Sequence, residues 1–169
     1  MFANAYWIMN LSTEFYKKII MQTKRGNNHG IISNAKPIFV LTIIEAISEG
    51  FIIGNKILFN NIELIDLYKS NYIKYNNKGN RVYRNAVNIT PFRMPYFHLN
   101  AEPYYHIKWK EKVVPPKQST SPSNKFLANN VDYSYMDDEL WRLLQSLDVR
   151  NELINTIINQ FLNNKYSEA

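Results

Sequence analysis

The stretch KPIFVLTIIEAISEG, residues 36–50, decides the fold that the sequence predicts. Pro37 suits the first turn of a helix, where backbone N–H groups have no partner within the helix, and Gly50 suits the residue that ends one. A helix with apolar side chains almost all round is normally buried. We therefore predict a central core helix, whose apolar residues are Ile38, Phe39, Val40, Leu41, Ile43, Ile44 and Ile47.

Capping residues predict further helices on both sides of this one. Ser12 is suited to cap a helix over residues 13–23, and Asn61 to cap a helix that runs to about Tyr75. Towards the end of the chain, Asp137 and Asp148 are suited to begin two more helices, because acidic groups are favoured at helix N-termini.

The stretch MPYFHLNAEPYYHIKWK, residues 94–110, predicts two aromatic-rich strand segments. Pro95 lacks a backbone N–H, so it suits the start or the edge of a strand. In the second segment alternation places Tyr105, Ile107 and Trp109 on one face. The opposite face carries His106, Lys108 and Lys110. The fold class predicted is therefore α+β, a helical domain with a small antiparallel sheet.

Length and composition predict one domain over residues 1–169, with an N-terminal extension at 1–11, an exposed loop at 114–124 and C-terminal helices at 137–163. The chain contains no cysteine, which excludes disulfides and thiolate metal sites. No apolar run reaches the ~18 residues of a membrane span, and no basic n-region precedes the first apolar residues. We expect a cytoplasmic protein with no membrane partner and no cofactor.

The positive charge is concentrated in the first part of the chain. Residues 1–119 hold 16 Lys and Arg against 7 Asp and Glu, a net charge of +9. Residues 120–169 hold 4 against 7, a net charge of −3. A basic body indicates an anionic partner such as nucleic acid, although a solvated basic surface has the same composition.

No residue pattern indicates catalysis or metal binding. His98 and His106 lack a third ligand at a suitable spacing, and Glu102 with Lys108 lacks the upstream aspartate of a metal-dependent nuclease. The acidic run 137–139 is interpreted as helix capping. We expect no catalytic residues, no metal site and no enzymatic activity in this chain, which contains no HNH motif.

Six blocks resemble, in the same order, the N-terminal DNA-binding domain of bacterial HNH restriction endonucleases. That domain is similar to the sulfur-binding domain, which recognises phosphorothioate-modified DNA. The resemblance covers roughly residues 12–163. The blocks are KPIFVL (36–41), IEAISEG (44–50), NKI (55–57), PYFHL (95–99), PYYHI (103–107) and MDDELWRLLQ (136–145).

The resemblance implies a reader of double-stranded DNA in a restriction system, with an apolar pocket for a backbone sulfur. Its pocket motif maps onto Met94, Pro95 and Tyr96. Three positions depart from the family pattern: Met94 stands in place of a tyrosine, Ala35 in place of a histidine and Ile32 in place of a basic residue. We assign the other DNA contacts to Ser33, Asn34, Lys36, Arg93, His98 and Lys108.

An adaptor that joins a separate nuclease subunit through the aromatic segment and the acidic C-terminal helices is the alternative hypothesis. An exposed apolar patch on Trp141, Leu144 and Leu147 would favour the adaptor, whereas an exposed basic cleft beside Pro95 would favour DNA binding. An enzyme with an unrecognised site is a third hypothesis.

Overall fold

The computed structural model describes residues 2–76 and 88–163, with side chains from Asn4 onward, and confirms the α+β fold class. A 3₁₀ turn, Leu99–Ala101, follows the fourth helix, and a π-helical turn, Ile158–Leu162, follows the last. The strands are β1 (Asn27–Asn28), β2 (Ile31–Ile32), β3 (Tyr105–Trp109) and β4 (Val131–Met136). The helices are α1 (Phe2–Met21), α2 (Ala35–Glu49), α3 (Ile62–Asn76), α4 (Arg93–His98), α5 (Asn124–Asn130), α6 (Asp138–Leu143) and α7 (Leu147–Ile157).

Helix α2 is the core helix that the sequence predicted. It ends at Gly50, which adopts a left-handed conformation with φ of 77° and donates its N–H towards the carbonyls of Ala46 and Ile47. Helices α3, α4 and α7 pack against it. Most of its length is therefore enclosed, and the fully buried side chains include Ile38, Phe39, Leu41 and Ile43.

Strands β3 and β4 form the larger of two antiparallel pairs, with Tyr105 opposite Met136 and His106 opposite Tyr135. The predicted strand at 105–109 is confirmed, whereas its partner β4 was not predicted. Tyr105 is fully buried and its hydroxyl donates to the carbonyl of Tyr96 at 2.7 Å. This bond joins the sheet to α4.

The predicted strand around Pro95 is wrong, because Arg93–His98 is the helix α4. Pro95 is the third residue of this short helix, a position whose N–H has no partner within the helix, so proline is tolerated there. The aromatic residues Tyr96 and Phe97 are buried on it. The segment therefore forms a helix followed by a strand, not an aromatic hairpin.

The ring of Phe39 on α2 organises an aromatic cluster in the core. Its centroid lies 5.4 Å from that of Phe92, 6.1 Å from that of Tyr96 and 5.9 Å from that of Tyr105. The pairs with Phe92 and Tyr105 are edge-to-face and the pair with Tyr96 is tilted. Edge-to-face contacts at these distances add to the stabilisation that burial gives. The cluster fixes α4 and β3 against the core helix, and so fixes the surface that α4 presents.

The predicted helix starts are partly confirmed. Asn61 caps α3 as predicted, and its Oδ1 accepts the N–H of Leu64 at 3.0 Å. Helix α7 is capped by Ser146, which directly precedes the first helical residue, and not by Asp148. Asp137 precedes α6 without a side-chain cap, because its carboxylate bonds other residues.

Helix α1 begins at Phe2, not after Ser12. Residues 2–11, which were predicted to be an N-terminal extension, therefore form the first part of this helix. No proline or glycine interrupts residues 2–12, and the Thr13 hydroxyl donates within the helix to the carbonyl of Met9 at 2.8 Å. Helix α1 packs on α6 and α7. Its C-terminal end leads into the hairpin of β1 and β2.

Candidate anion-binding site

A cavity of about 400 Å³ lies where the segment after α1, the start of α2 and one side of α4 meet. Its lining combines positive charge with apolar surface, and it lies beside the fixed helix α4. The lining residues are Lys24, Arg25, Gly26, Ser33, Ala35, Lys36, Thr90, Met94, Pro95, His98, Ala101 and Gln118.

Five of the nine residues predicted to contact DNA line this cavity: Ser33, Lys36, Met94, Pro95 and His98. They come from two segments about sixty residues apart in the sequence. On α4 the spacing of Met94, Pro95 and His98 corresponds to one turn, which places them on the same side of the helix.

Two of the predicted residues lie beside the cavity. The amide oxygen of Asn34 accepts a hydrogen bond from the guanidinium of Arg25 at 2.9 Å. The guanidinium of Arg93 donates to the carbonyl of Pro122 at 3.0 Å and lies 3.3 Å from the sulfur of Met94. Both side chains therefore support lining residues.

Tyr96 and Lys108 are not brought to the cavity. Tyr96 is fully buried, and its hydroxyl donates to the carbonyl of Ile57 at 2.9 Å. Lys108 is exposed on β3, opposite Tyr133 on β4. Tyr96 was predicted to form part of the pocket wall, but its ring belongs to the aromatic core and does not line the cavity.

Apolar atoms form part of the cavity wall. Pro95 and Ala35 are buried residues that line the cavity, and Met94 is half-buried beside them. None of their side chains offers a strong hydrogen-bond donor. Water in contact with such a wall is poorly hydrogen-bonded, so a large, weakly hydrated group is favoured there over a small, strongly hydrated one.

Lys24 and Arg25 add positive charge that the sequence analysis did not assign. The Arg25 guanidinium lies 5.1 Å from the centroid of the Phe161 ring in addition to its bond to Asn34. These two contacts hold the guanidinium in place. The adjacent basic residues Lys24 and Arg25 are visible in the sequence, but only the fold shows that they line the same cavity as Pro95.

Glu102 sets the electrostatics at the edge of the cavity. Its Oε1 accepts from the ammonium of Lys36 at 3.2 Å and from the backbone N–H of Lys24 at 3.0 Å. The side chain of Glu102 is 7% exposed and that of Lys36 is 16% exposed. Glu102 therefore pairs with Lys36, and it compensates part of the positive charge.

The surroundings of His98 favour its neutral form. Burial lowers its pKa below the ordinary value of 6.5, and the positive charge of Lys36 lowers it further. A hydrogen bond with the backbone of Gln118 opposes these effects, and Arg93 adds a smaller lowering. When the pH falls far enough for His98 to be protonated, the cavity gains one more positive charge.

His106, on β3, belongs to a separate cluster. His106 Nε2 lies 2.5 Å from Oδ1 of Asp137, whose Oδ2 accepts from the hydroxyl of Tyr16 at 3.0 Å. Burial, with the bond to Asp137, raises the pKa of Tyr16 to about 12. The Asp137 side chain thus joins α1 to β3, and this structural role takes the place of the predicted helix capping.

Within residues 2–76 and 88–163, no three His, Asp or Glu side chains come together in a way that would hold a metal ion. Over the same ranges, no helix combines the length and the apolar character needed to cross a lipid bilayer.

The apolar patch expected of an adaptor is not assembled. Leu144 is fully buried in the core, Trp141 is half-buried and Leu147 is 59% exposed. These three side chains therefore do not share one exposed surface. Lys24, Arg25 and Lys36 line the cavity beside Pro95.

Comparisons with protein-family models and with curated proteins give no match for this chain.

Proposed function

We propose that this chain binds the sugar-phosphate backbone of double-stranded DNA, as a reader domain of a restriction system, with one backbone group seated in the cavity beside Pro95. The observation that carries the proposal is the juxtaposition of Lys24, Arg25 and Lys36 with the apolar wall of Met94 and Pro95. A phosphodiester is an anion that approaches such a site at the molecular surface.

The cationic groups supply affinity for any phosphate backbone. Arg25 is oriented by Asn34 and Phe161, so its donors are positioned without further loss of conformational freedom. Lys36 is already paired with Glu102, which reduces the attraction of the site for charge as such. The site is therefore suited to a singly charged group that also makes apolar contacts.

A phosphorothioate meets this description. Replacing a non-bridging oxygen by sulfur keeps the negative charge and adds a larger, more weakly hydrated atom. Contact of that atom with Pro95 and the thioether of Met94 replaces poorly bonded water, whereas an oxygen in the same place would lose its hydration. Discrimination thus comes from the apolar wall, and affinity from the cations.

Titration of a short labelled DNA duplex, followed by fluorescence anisotropy, tests DNA binding. With ~4–6 phosphate contacts, the logarithm of the binding constant should fall with the logarithm of salt concentration with a slope of about −4 to −5. Arg25→Gln should weaken binding about 5- to 10-fold and make the slope shallower by about 1.

Arg142→Gln is the matched control. Arg142 is exposed on α6, pairs with Glu139 at 2.6 Å and does not line the cavity. Its removal should change affinity less than about twofold, because it takes one charge from the surface without touching the site. Absence of binding at low salt, or equal losses for the two variants, would contradict the proposal.

A further inference from the structure

The cavity beside Pro95 is larger than the group that the proposed function places in it. Its volume is about 400 Å³. One phosphate group fills only a small part of such a volume, which lies in the range of pockets that hold a whole small-molecule ligand. The remainder would hold water, although part of the wall is apolar. The site therefore has room for more of the nucleic acid than one backbone group.

The α4 side of the cavity is also longer than a phosphate group. Met94, His98 and Ala101 line it, and Pro95 lies next to Met94. From Met94 to Ala101 the chain advances seven residues. At about 1.5 Å per helical residue this wall is roughly 10 Å long. A backbone sulfur in contact with Met94 and Pro95 therefore leaves the other end of the wall, at His98 and Ala101, open to a second group of the same nucleotide.

This second end of the wall is suited to a nucleobase. The His98 imidazole is half-buried, and its surroundings favour the neutral form. Bases stack on histidine rings as they do on other aromatic side chains. Gln118 also lines the cavity, and its Nε2 donates to the carbonyl of His98 at 3.1 Å, which orients the carboxamide. A carboxamide offers a donor and an acceptor, as the polar edge of a base does.

The cationic residues of the cavity come from other segments than this wall. Lys24 and Arg25 follow α1, and Lys36 belongs to the first turn of α2. A nucleotide needs both kinds of surface, because its phosphate is charged and strongly hydrated whereas the faces of its base are flat and weakly hydrated. The cavity combines the two within the reach of one nucleotide.

We propose that the cavity takes a whole unpaired nucleotide, with its phosphate at the cationic residues and its base against His98. This inference rests on the proposed function, because the phosphate keeps its place beside Met94 and Pro95. A base inside a duplex reaches such a pocket only after it leaves the stack, and the free energy required is smallest for a base that is already unpaired. The preferred ligand is therefore DNA with one extrahelical nucleotide.

Three duplexes of one sequence test the proposal by fluorescence anisotropy with the wild-type chain. One is fully paired, one has a single-nucleotide bulge, and the third has the same bulge with an abasic site in place of the base. The abasic duplex has the same extra phosphate and the same flexible backbone. The bulged duplex should bind about 5- to 10-fold more tightly than the abasic one, because only its base can fill the cavity.

Ala101→Leu tests whether the extra affinity arises in this cavity. Ala101 is exposed at the His98 end of the wall, so leucine takes up space for the base without entering the core. The ratio of the affinities for the bulged and abasic duplexes should fall to less than about twofold. Ala5→Leu is the matched control, because it adds the same side chain at an exposed position of α1 that does not line the cavity, and it should keep the full ratio.

The outcomes separate this inference from the proposed function. Equal affinities of the wild type for the bulged and abasic duplexes would overturn the inference, and the proposed function would stand if the fully paired duplex still bound with the expected dependence on salt and on Arg25. Equal losses of the ratio in Ala101→Leu and Ala5→Leu would also overturn the inference. Absence of binding to all three duplexes would overturn both.

Discussion

Glu102 accepts a hydrogen bond from the Lys36 ammonium at 3.2 Å, and both side chains are largely removed from solvent. The same carboxylate oxygen accepts the backbone N–H of Lys24 at 3.0 Å. One acidic side chain therefore fixes two cationic residues of the cavity and offsets part of their charge. It links the stability of the protein to the electrostatics of the proposed DNA site.

Replacement of Glu102 by glutamine should have two opposite effects. Stability should fall by about 1–3 kcal/mol, because Lys36 loses its charged partner in a partly buried position. Affinity for unmodified DNA should rise about 3- to 10-fold, because the freed charge of Lys36 attracts phosphate. Urea denaturation and anisotropy titration measure the two effects separately.

Glu111→Gln provides the control for this prediction. Glu111 is exposed in the turn after β3, and its substitution removes the same formal charge as Glu102→Gln. It should leave stability within about 0.5 kcal/mol of the wild type. If both variants increased DNA affinity equally, net charge and not the Glu102–Lys36 pair would explain the change.

His98 should make DNA binding depend on pH. Its pKa is lowered in the folded protein, so the unbound fold holds this proton less tightly than the unfolded chain does. Stability without DNA should therefore decline as the pH drops below 6.5 and through the lowered pKa. A bound phosphate favours the charged imidazole, so DNA affinity should increase over that same range, by up to about tenfold per pH unit.

Anisotropy titrations of the wild type and of His98→Asn between neutral and mildly acidic pH measure this effect. Asparagine keeps a polar side chain but does not titrate, so the increase in affinity at low pH should disappear. An unchanged pH profile in the variant would assign the effect to another group.

The hydroxyl of Tyr105 should contribute to the stability of the fold. It donates to the carbonyl of Tyr96 in the fully buried core, and Tyr105→Phe would leave that carbonyl without this donor. We expect a loss of about 1–2 kcal/mol in chemical denaturation. Tyr133→Phe, on the half-buried outer side of the sheet, should lose less than about 0.5 kcal/mol.

The elements predicted well from the sequence are those whose signals are local. Pro37 and Gly50 bound the core helix, and the αL conformation at Gly50 explains why glycine stands there. Asn61 likewise caps the helix that it was expected to cap. Each of these signals depends on the backbone of a few neighbouring residues, so it can be read without the fold.

The segment around Pro95 was misread because its signal is ambiguous. Proline is compatible with the edge of a strand and with the first turn of a helix, and a short aromatic run fits a buried element of either kind. Burial of Tyr96 and Phe97 in the core favours the helix over the strand. Strand β4 was missed because its pairing with β3 is a long-range contact.

The site could be predicted only in part for the same reason. The family resemblance pointed to Lys36, Met94, Pro95 and His98, and the fold brings these residues together. It gave no indication that Arg25 or Glu102 would join them, because their positions depend on packing across the chain. Tyr96 was misassigned, since a tyrosine beside pocket residues and one in the core have the same sequence signature.

Gly50→Ala should reveal the backbone requirement at the end of the core helix. Alanine is strained at the φ of 77° found at Gly50, and we expect a loss of about 1–2 kcal/mol. Gly26→Ala is the matched control, because its added Cβ would meet the Ser33 Cβ at 3.8 Å, an ordinary contact. Similar losses in thermal denaturation for both variants would contradict this explanation.

The most direct test of the proposed site compares duplexes that differ in a single backbone atom. Affinities are measured for an unmodified duplex and for duplexes with one phosphorothioate of either stereochemistry, using the wild type and Pro95→Ala. We expect one stereoisomer to bind the wild type more tightly by ~1–3 kcal/mol. Pro95→Ala should abolish most of this gain and leave the affinity for unmodified DNA nearly unchanged. Equal affinities of the wild type for all three duplexes would contradict the seating of a backbone sulfur beside Pro95.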